Sequence, residues 1–279
     1  MNLATQGCIL ALDANGQGVT FNAPADVHVS GCEVLSNGGF FTMGPGTSLT
    51  TECIRSRVLT HILGTANLSC GDPKIEAGVT VDPYADLLNP GASVPCAANE
   101  PVTIASDADW GKLKHLPSKG REYVYLCSKS PVTLQSSGTI TVPPKWTFIV
   151  EGADFTIQDT SVVGADVSFF FTGGGRLRID ARNSAVKLTA DASGMLFRGA
   201  KANSIDGANL IAVGPGSKLE GAIYFPNAPI NFSASGNVSK CLQIIGQTVE
   251  LSGTWQIEGP CAMPGISPIV ASRNVNLTQ

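Results

Sequence analysis

The chain has 279 residues, enough for one large or two small domains. Its 18 basic and 22 acidic side chains give a net charge of −4, and only 14% of residues are charged, so the basic footprint needed for nucleic acid or acidic lipid is missing. With 31 glycines, 17 prolines and 43% hydrophobic residues, the composition favours a turn-rich, core-forming β protein over a helical or disordered one.

From Cys8 to Leu63 short β-prone runs follow one another: Ile9–Leu12, Val19–Phe21, Val27–Val29, Phe40–Met43 and Ser48–Thr50. Several alternate apolar with polar residues, and Gly, Asn, Pro or Ser separates most of them, as expected of strands with one covered face. Residues 1–71 therefore read as an amino-terminal β-rich part. Residues 72–101 hold Pro73, Pro83, Pro90, Pro95 and Pro101. Missing amide donors and fixed φ oppose continuous sheet or helix there, so the stretch reads as a connector that crosses the surface. A main β part spans 102–279, and all three parts are compatible with one continuous domain. It opens on a helix candidate: Ser106 precedes Asp109 with capping-box spacing, and Trp110, Leu113 and Leu116 could share a face, while Gly111 and Pro117 keep the helix short. The ladder then resumes with Val132–Leu134, Thr139–Val142, Trp146–Val150, Phe155–Ile157 and Val167–Phe171, and runs on through Leu210–Val213 and Leu219–Phe225 to Trp255–Ile257.

Two all-β architectures suit this rhythm, an antiparallel sandwich and a stack of coils. A sandwich favours tight hairpin turns, yet only Asn15-Gly16, Asn37-Gly38 and Asp206-Gly207 have the residues for them among many loose Gly/Ser/Ala junctions. The preferred expectation is a parallel β-helix, or β-solenoid, with an irregular connector and at most one short helix; the antiparallel β-sandwich is the alternative. Open ends of such a stack need caps against aggregation.

Cys8, Cys32, Cys53, Cys70, Cys96, Cys127, Cys241 and Cys261 form an even set without a CxxC, which points to disulfides rather than zinc and places the chain in a periplasm or at a cell surface. Met1 to Cys8 shows neither a signal peptide nor an anchor, which suggests a trimmed chain. Cys241 and Cys261 lie 20 residues apart and Cys8 and Cys32 lie 24 apart, each about one coil. Cys53 with Cys70 and Cys96 with Cys127 complete a sequential scheme, although about 105 pairings are formally open.

Reactive motifs are sparse. His28, His61 and His115 sit in separate segments without metal-ligand spacing, so no metal and no cofactor are expected. His28 alternates with Val27 and Val29 and reads as an outward strand residue; His115 lies among Lys112, Lys114 and Lys119 on a charged face. Gly46-Thr47-Ser48, Gly91-Ala92-Ser93 and Gly265-Ile266-Ser267 lack the closing glycine of a nucleophile elbow, and Gly173-Gly174-Gly175 lacks a following lysine-hydroxyl pair, so all read as turns. The acids and bases that a polysaccharide-active enzyme would draw on are Glu151, Asp154, Asp159, Asp166, Asp180, Arg178 and Arg182, with Asp180 and Arg182 read as a surface ion pair. Trp110, Trp146 and Trp255 could stack sugars but fit apolar core patterns. No catalytic residue is assigned.

Several strings nevertheless stand out. Cys8-Ile9-Leu10-Ala11-Leu12-Asp13 with Ser30-Gly31-Cys32, and Leu219-Glu220-Gly221-Ala222-Ile223-Tyr224-Phe225-Pro226-Asn227 with Cys241-Leu242-Gln243-Ile244-Ile245, resemble the carboxy-terminal region of TadG-like proteins of bacterial Tad/Flp pili. Val142–Val150 matches the family's proline-containing turn and strand, and Gly194–Phe197 its Gly-aliphatic-Phe step; Tyr123–Lys129 departs from the family's Pro-Gly-Val-Tyr-Cys-Gly-Gly. The resemblance implies a non-enzymatic extracytoplasmic module serving the pilus as minor pilin, tip or assembly component, anchored in the full-length protein by a membrane span outside this sequence. Its implied partners are pilus or pilus-assembly proteins and surface glycans. The alternative is a β-helix polysaccharide-active enzyme or carbohydrate-binding surface protein, for which two carboxylates should face one cleft.

Overall fold

The computed structural model describes residues 6–15, 17–38, 40–75, 78–87, 100–118, 120–127, 130–259 and 261–271. Almost all regular structure is strand, gathered into sheets of 14 and 12 strands. In the first sheet Arg121–Cys127, Trp146–Glu151, Ser161–Thr172, Val186–Ala190, Lys218–Phe225 and Leu242–Gly246 lie side by side in chain order. The second sheet places Val132–Leu134, Asp154–Gln158, Arg176–Ala181, Asn209–Val213, Ile230–Ser239 and Val249–Glu258 side by side in the same way. The chain thus leaves one sheet, adds a strand to the other, and returns one place further along. Parallel neighbours need such a crossover, and here each sheet supplies it for the other. Among the described residues antiparallel pairing is confined to His115–Ser118 with Arg121–Cys127, and to Gln6 and Gly7 with Val270 and Ile269. Parallel sheets, not the antiparallel sandwich, are the arrangement, in keeping with the scarcity of hairpin turns.

Where the register runs without a shift, like stacks on like inside the core. Phe148 lies opposite Phe169, and Phe169 opposite Phe197. Their ring centroids are 4.7 and 5.2 Å apart, close to the interstrand spacing of about 4.8 Å. Longer strands are two segments joined at a bend. In Ser161–Thr172 the bend falls at Asp166, with φ 57°. In Lys218–Phe225 it falls at Gly221, with φ 124°, where a Cβ would sit 2.6 Å from the Ala190 side chain, so only glycine fits.

The amino-terminal strands do not begin the stack. Gln6–Ala11 pairs in parallel with Leu242–Gly246, setting Ile9 opposite Ile244, and Gln17–Ser30 pairs with Val249–Glu258, setting Val27 opposite Trp255. Beyond this seam the first sheet adds Glu33–Ser36, Ile54–Ser56 and Lys74–Ile75, and the second adds Phe40–Met43 and Leu59–Ile62. Thr47–Thr51 pairs with the second half of Gln17–Ser30, and Thr65–Leu68 pairs with Thr47–Thr51. One buried apolar cluster runs from Trp110 through Phe169 and Ile244 to Leu49. Lys74–Ile75 is a strand inside the stretch expected to be connector.

The helix candidate is a 3-10 helix, Asp107–Lys112, ending where Leu113 turns extended. Trp110 and Leu113 are buried, but Leu116 is not on their face: it lies on the strand His115–Ser118 and is 50% exposed. Gly111 and Pro117 stop the helix before it can bring Leu116 round. The Asp109 carboxylate is held down at about 2, first by the Lys112 ammonium and then by the Ala105 N–H, and it also accepts from the Ser106 N–H. Trp110 seals this end of the core, packing edge-on to Trp146 and donating its Nε1–H to the Thr141 carbonyl at 2.7 Å.

Candidate functional site

The outer side of the first sheet is crossed by two segments. Residues 78–87 run back along the stack, from the far coils toward the Trp110 end. Asn37 holds Thr80 at both backbone groups, accepting its N–H at 2.7 Å and donating to its carbonyl at 2.8 Å. Further on, the Tyr224 hydroxyl donates to Asp82 at 2.8 Å, and the Arg198 guanidinium donates to the Leu87 carbonyl at 3.1 Å while lying 5.2 Å from the Phe170 ring centre. The second segment, near Ser267, meets the first at Tyr84. The Tyr84 hydroxyl donates to Gln243 Oε1 at 2.7 Å, Gln243 Nε2 donates to the Ser267 carbonyl at 3.0 Å, and the Ser267 N–H donates back to the Tyr84 oxygen at 3.1 Å. This closed ring of three bonds bolts both segments to the strand Leu242–Gly246. Burial pushes Tyr84 up to about 12, and burial together with the Asp82 carboxylate pushes Tyr224 higher still.

A cleft of about 520 Å³ opens between this strap and the corner of the stack, where Asp13, Lys201, Asn227 and Gln247 from successive coils face Val79–Asp82. A smaller cleft, about 180 Å³, contains Arg121, Tyr123, Asp191, Ser193 and Arg198. There Arg121 gathers two carboxylates, Asp166 at 2.6 Å and Asp191 at 3.3 Å, and donates from Nε to Thr147 at 3.1 Å. Ser193 donates to Asp191 as well. Asp166 and Asp191 thus meet at one guanidinium, through one oxygen of each.

The second sheet presents its polar side outward. Alternation sinks Trp255, Val27 and Leu49 into the core and leaves their neighbours outside. Register then aligns Thr254, Asp26, Ser48 and Thr65 in one column and Gln256, His28, Thr50 and Asn67 in a second. All eight side chains are exposed or half-buried. With strands about 4.8 Å apart, this is a repeating two-column array of short hydroxyl, amide and carboxylate groups. His28 sits 3.6 Å from Asp26. Further along, the same sheet carries a groove of about 340 Å³ floored by Ala212, Ser233 and Ser252 and edged by Arg182 and Glu250. No family model, curated protein or solved structure matches this chain.

The cysteines do join sequence neighbours: Cys8 to Cys32, Cys53 to Cys70 and Cys241 to Cys261. Cys127 is also disulfide-bonded, whereas Cys96, its expected partner, lies outside the described residues. These disulfides fit an oxidising, extracytoplasmic setting. No helix among the described residues is long and apolar enough to cross a membrane. Nor is there a metal-holding cluster of His, Cys, Asp and Glu among them. His115 is exposed beside Lys112 and Lys114 and bonds Glu122 at 2.9 Å, while Lys119 lies outside the described residues, as does the Gly91-Ala92-Ser93 turn. Asp154 pairs with Arg176 at 2.7 Å and Asp180 with Arg182 at 3.2 Å, Glu151 ends a strand exposed, and Asp159 occupies a left-handed turn. Trp110, Trp146 and Trp255 are buried. The residues missed from sequence are Arg121 and Asp191. Asp166 and Asp191 are one coil apart, the signal that would have paired them.

Proposed function

We propose that this chain winds as a parallel β-helix and acts as a non-enzymatic, extracytoplasmic structural and adhesive module of a Tad/Flp pilus. The repeated passage from sheet to sheet, with parallel pairing and disulfides between coils, supports the winding. The TadG-like strings, Leu219–Asn227 foremost, support the pilus assignment. The observation that carries the adhesive role is the two-column polar array on the second sheet. A rigid, regularly spaced surface of short polar groups offers many equivalent contacts to a pilin or a surface glycan, with little side-chain entropy lost on binding.

Deleting the gene in the bacterium that encodes it, and restoring it with the wild type or with Ser48→Lys/Thr50→Glu, tests the reading. Loss of pili or of surface attachment on deletion, with attachment unrestored by the variant, is expected. Unchanged piliation and attachment, or release of reducing ends from a polysaccharide by the purified protein, would overturn it.

A further inference from the structure

The two ends of the stack are finished differently. At the Trp110 end the first sheet stops on His115–Ser118, which pairs antiparallel, carries Pro117 and is exposed throughout. That strand blunts the first sheet's edge, and Trp110 and Leu113 cover the core beneath it, while in the second sheet Val102–Ile104 pairs on one side only, with Val132–Leu134, among the described residues. At the far end Lys74–Ile75, Leu59–Ile62 and Thr65–Leu68 each pair on one side only, with Ile54–Ser56, Phe40–Met43 and Thr47–Thr51, among the described residues.

Core positions there are left half covered. Met43 and Leu49 are fully buried, but their register partners in the last coil, Ile62 and Ala66, are only partly so, as is Leu68. The same coil exposes Val58 at 53%, Leu63 at 59% and Ile75 at 62%. The Cys53–Cys70 bridge holds this coil in shape, so its edges are presented rather than frayed.

The molecule already contains a docking of this kind. At the seam, strands more than two hundred residues apart in sequence join edge to edge and core to core, Gln6–Ala11 on Leu242–Gly246 and Gln17–Ser30 on Val249–Glu258. An open end of the same construction is competent for edge-to-edge, core-to-core contact with another chain. We propose that this end is an interface with a second copy of the chain, the two open ends meeting about a two-fold axis. At the Trp110 end only Val102–Ile104 of the second sheet offers an open parallel edge, so head-to-tail docking cannot join both sheets, whereas a strand edge is complementary to its own copy when the two run antiparallel. The rim also carries both signs, Arg57 and Lys74 with Glu52 and Asp72, as self-contact requires. Two-fold closure uses up both open ends and yields a dimer instead of a fibre.

Sedimentation velocity of the full chain over a wide concentration range tests this. The apparent mass is expected to rise from 28.9 kDa to twice that value. Leu63→Lys combined with Ile75→Lys places charges on exposed positions, so the fold is retained; the variant is expected to stay monomeric with an unchanged circular dichroism spectrum. Val81→Lys, an exposed valine on the strap, is expected to dimerise like the wild type. A wild type monomeric at every concentration, open-ended growth beyond the dimer, or a dimer untouched by the double substitution would each overturn the proposal.

Discussion

Replacing Tyr84 by Phe removes one oxygen from a site that otherwise keeps its shape. The ring still packs edge-on against Tyr224, with centroids 5.3 Å apart, so no cavity forms. What changes is the three-bond ring: Gln243 Oε1 loses its donor and the Ser267 N–H loses its acceptor. Tyr84 and Gln243 are each 2% exposed, so water does not readily replace either contact. With about 1 kcal/mol net for a typical hydrogen bond and 1–3 kcal/mol for a stranded buried polar group, the loss should be about 2–3 kcal/mol. In a chain of this size that lowers Tm by roughly 4 °C. Urea unfolding and thermal scans of Y84F, Gln243→Leu and the double variant form a cycle in which the two changes should be non-additive by about 1 kcal/mol or more. Hydrogen exchange should quicken at Ser267 in Y84F. A loss below about 0.5 kcal/mol, or additive single and double changes, would refute the idea that this ring bolts the two crossing segments to the stack.

Three further outcomes are expected. Tyr84 ionises near 10.0 when unfolded and at about 12 when folded, so the folded state retains a proton that the unfolded state has lost between those values. The Tyr84 contribution to stability should hold below that interval and fall by roughly 2–3 kcal/mol as pH rises through it, so Y84F should show a shallower alkaline loss than the wild type, read from urea midpoints against pH. Replacing Cys241 and Cys261 together by Ser opens a 20-residue loop; unfolding free energy should drop by about 3 kcal/mol in the loop-closure picture, and an unchanged urea midpoint would contradict it. Trp110→Ala strips the seal over Trp146 and Phe148; it should cost about 3–5 kcal/mol and red-shift the remaining tryptophan emission, and wild-type stability would show that the end is sealed by something else.

Much of the architecture is legible locally. Alternation in Val27-His28-Val29 and in Ser48-Leu49-Thr50 assigns each residue an inner or outer side, because strand side chains alternate whatever the strand pairs with. Scarce hairpin turns argue for parallel pairing, and an even number of cysteines, with separations near one coil, leads to Cys8–Cys32 and Cys241–Cys261. The prolines between Cys70 and Pro101 mark a stretch whose described part, 78–87, crosses the outer side of the first sheet, although Lys74–Ile75 joins that sheet.

Tertiary structure alone decided which edges meet. No local rule places Gln6–Ala11 on Leu242–Gly246, since backbone edges carry no address; complementary register and a shared core select the partner only once the coils exist. The same holds for Asn37 with Thr80, Tyr84 with Gln243, and Arg121 with Asp166 and Asp191. Each residue is unremarkable in its own segment and acquires its role by proximity across a coil. Composition and periodicity determine the strand; closure of the chain on itself determines which end stays open.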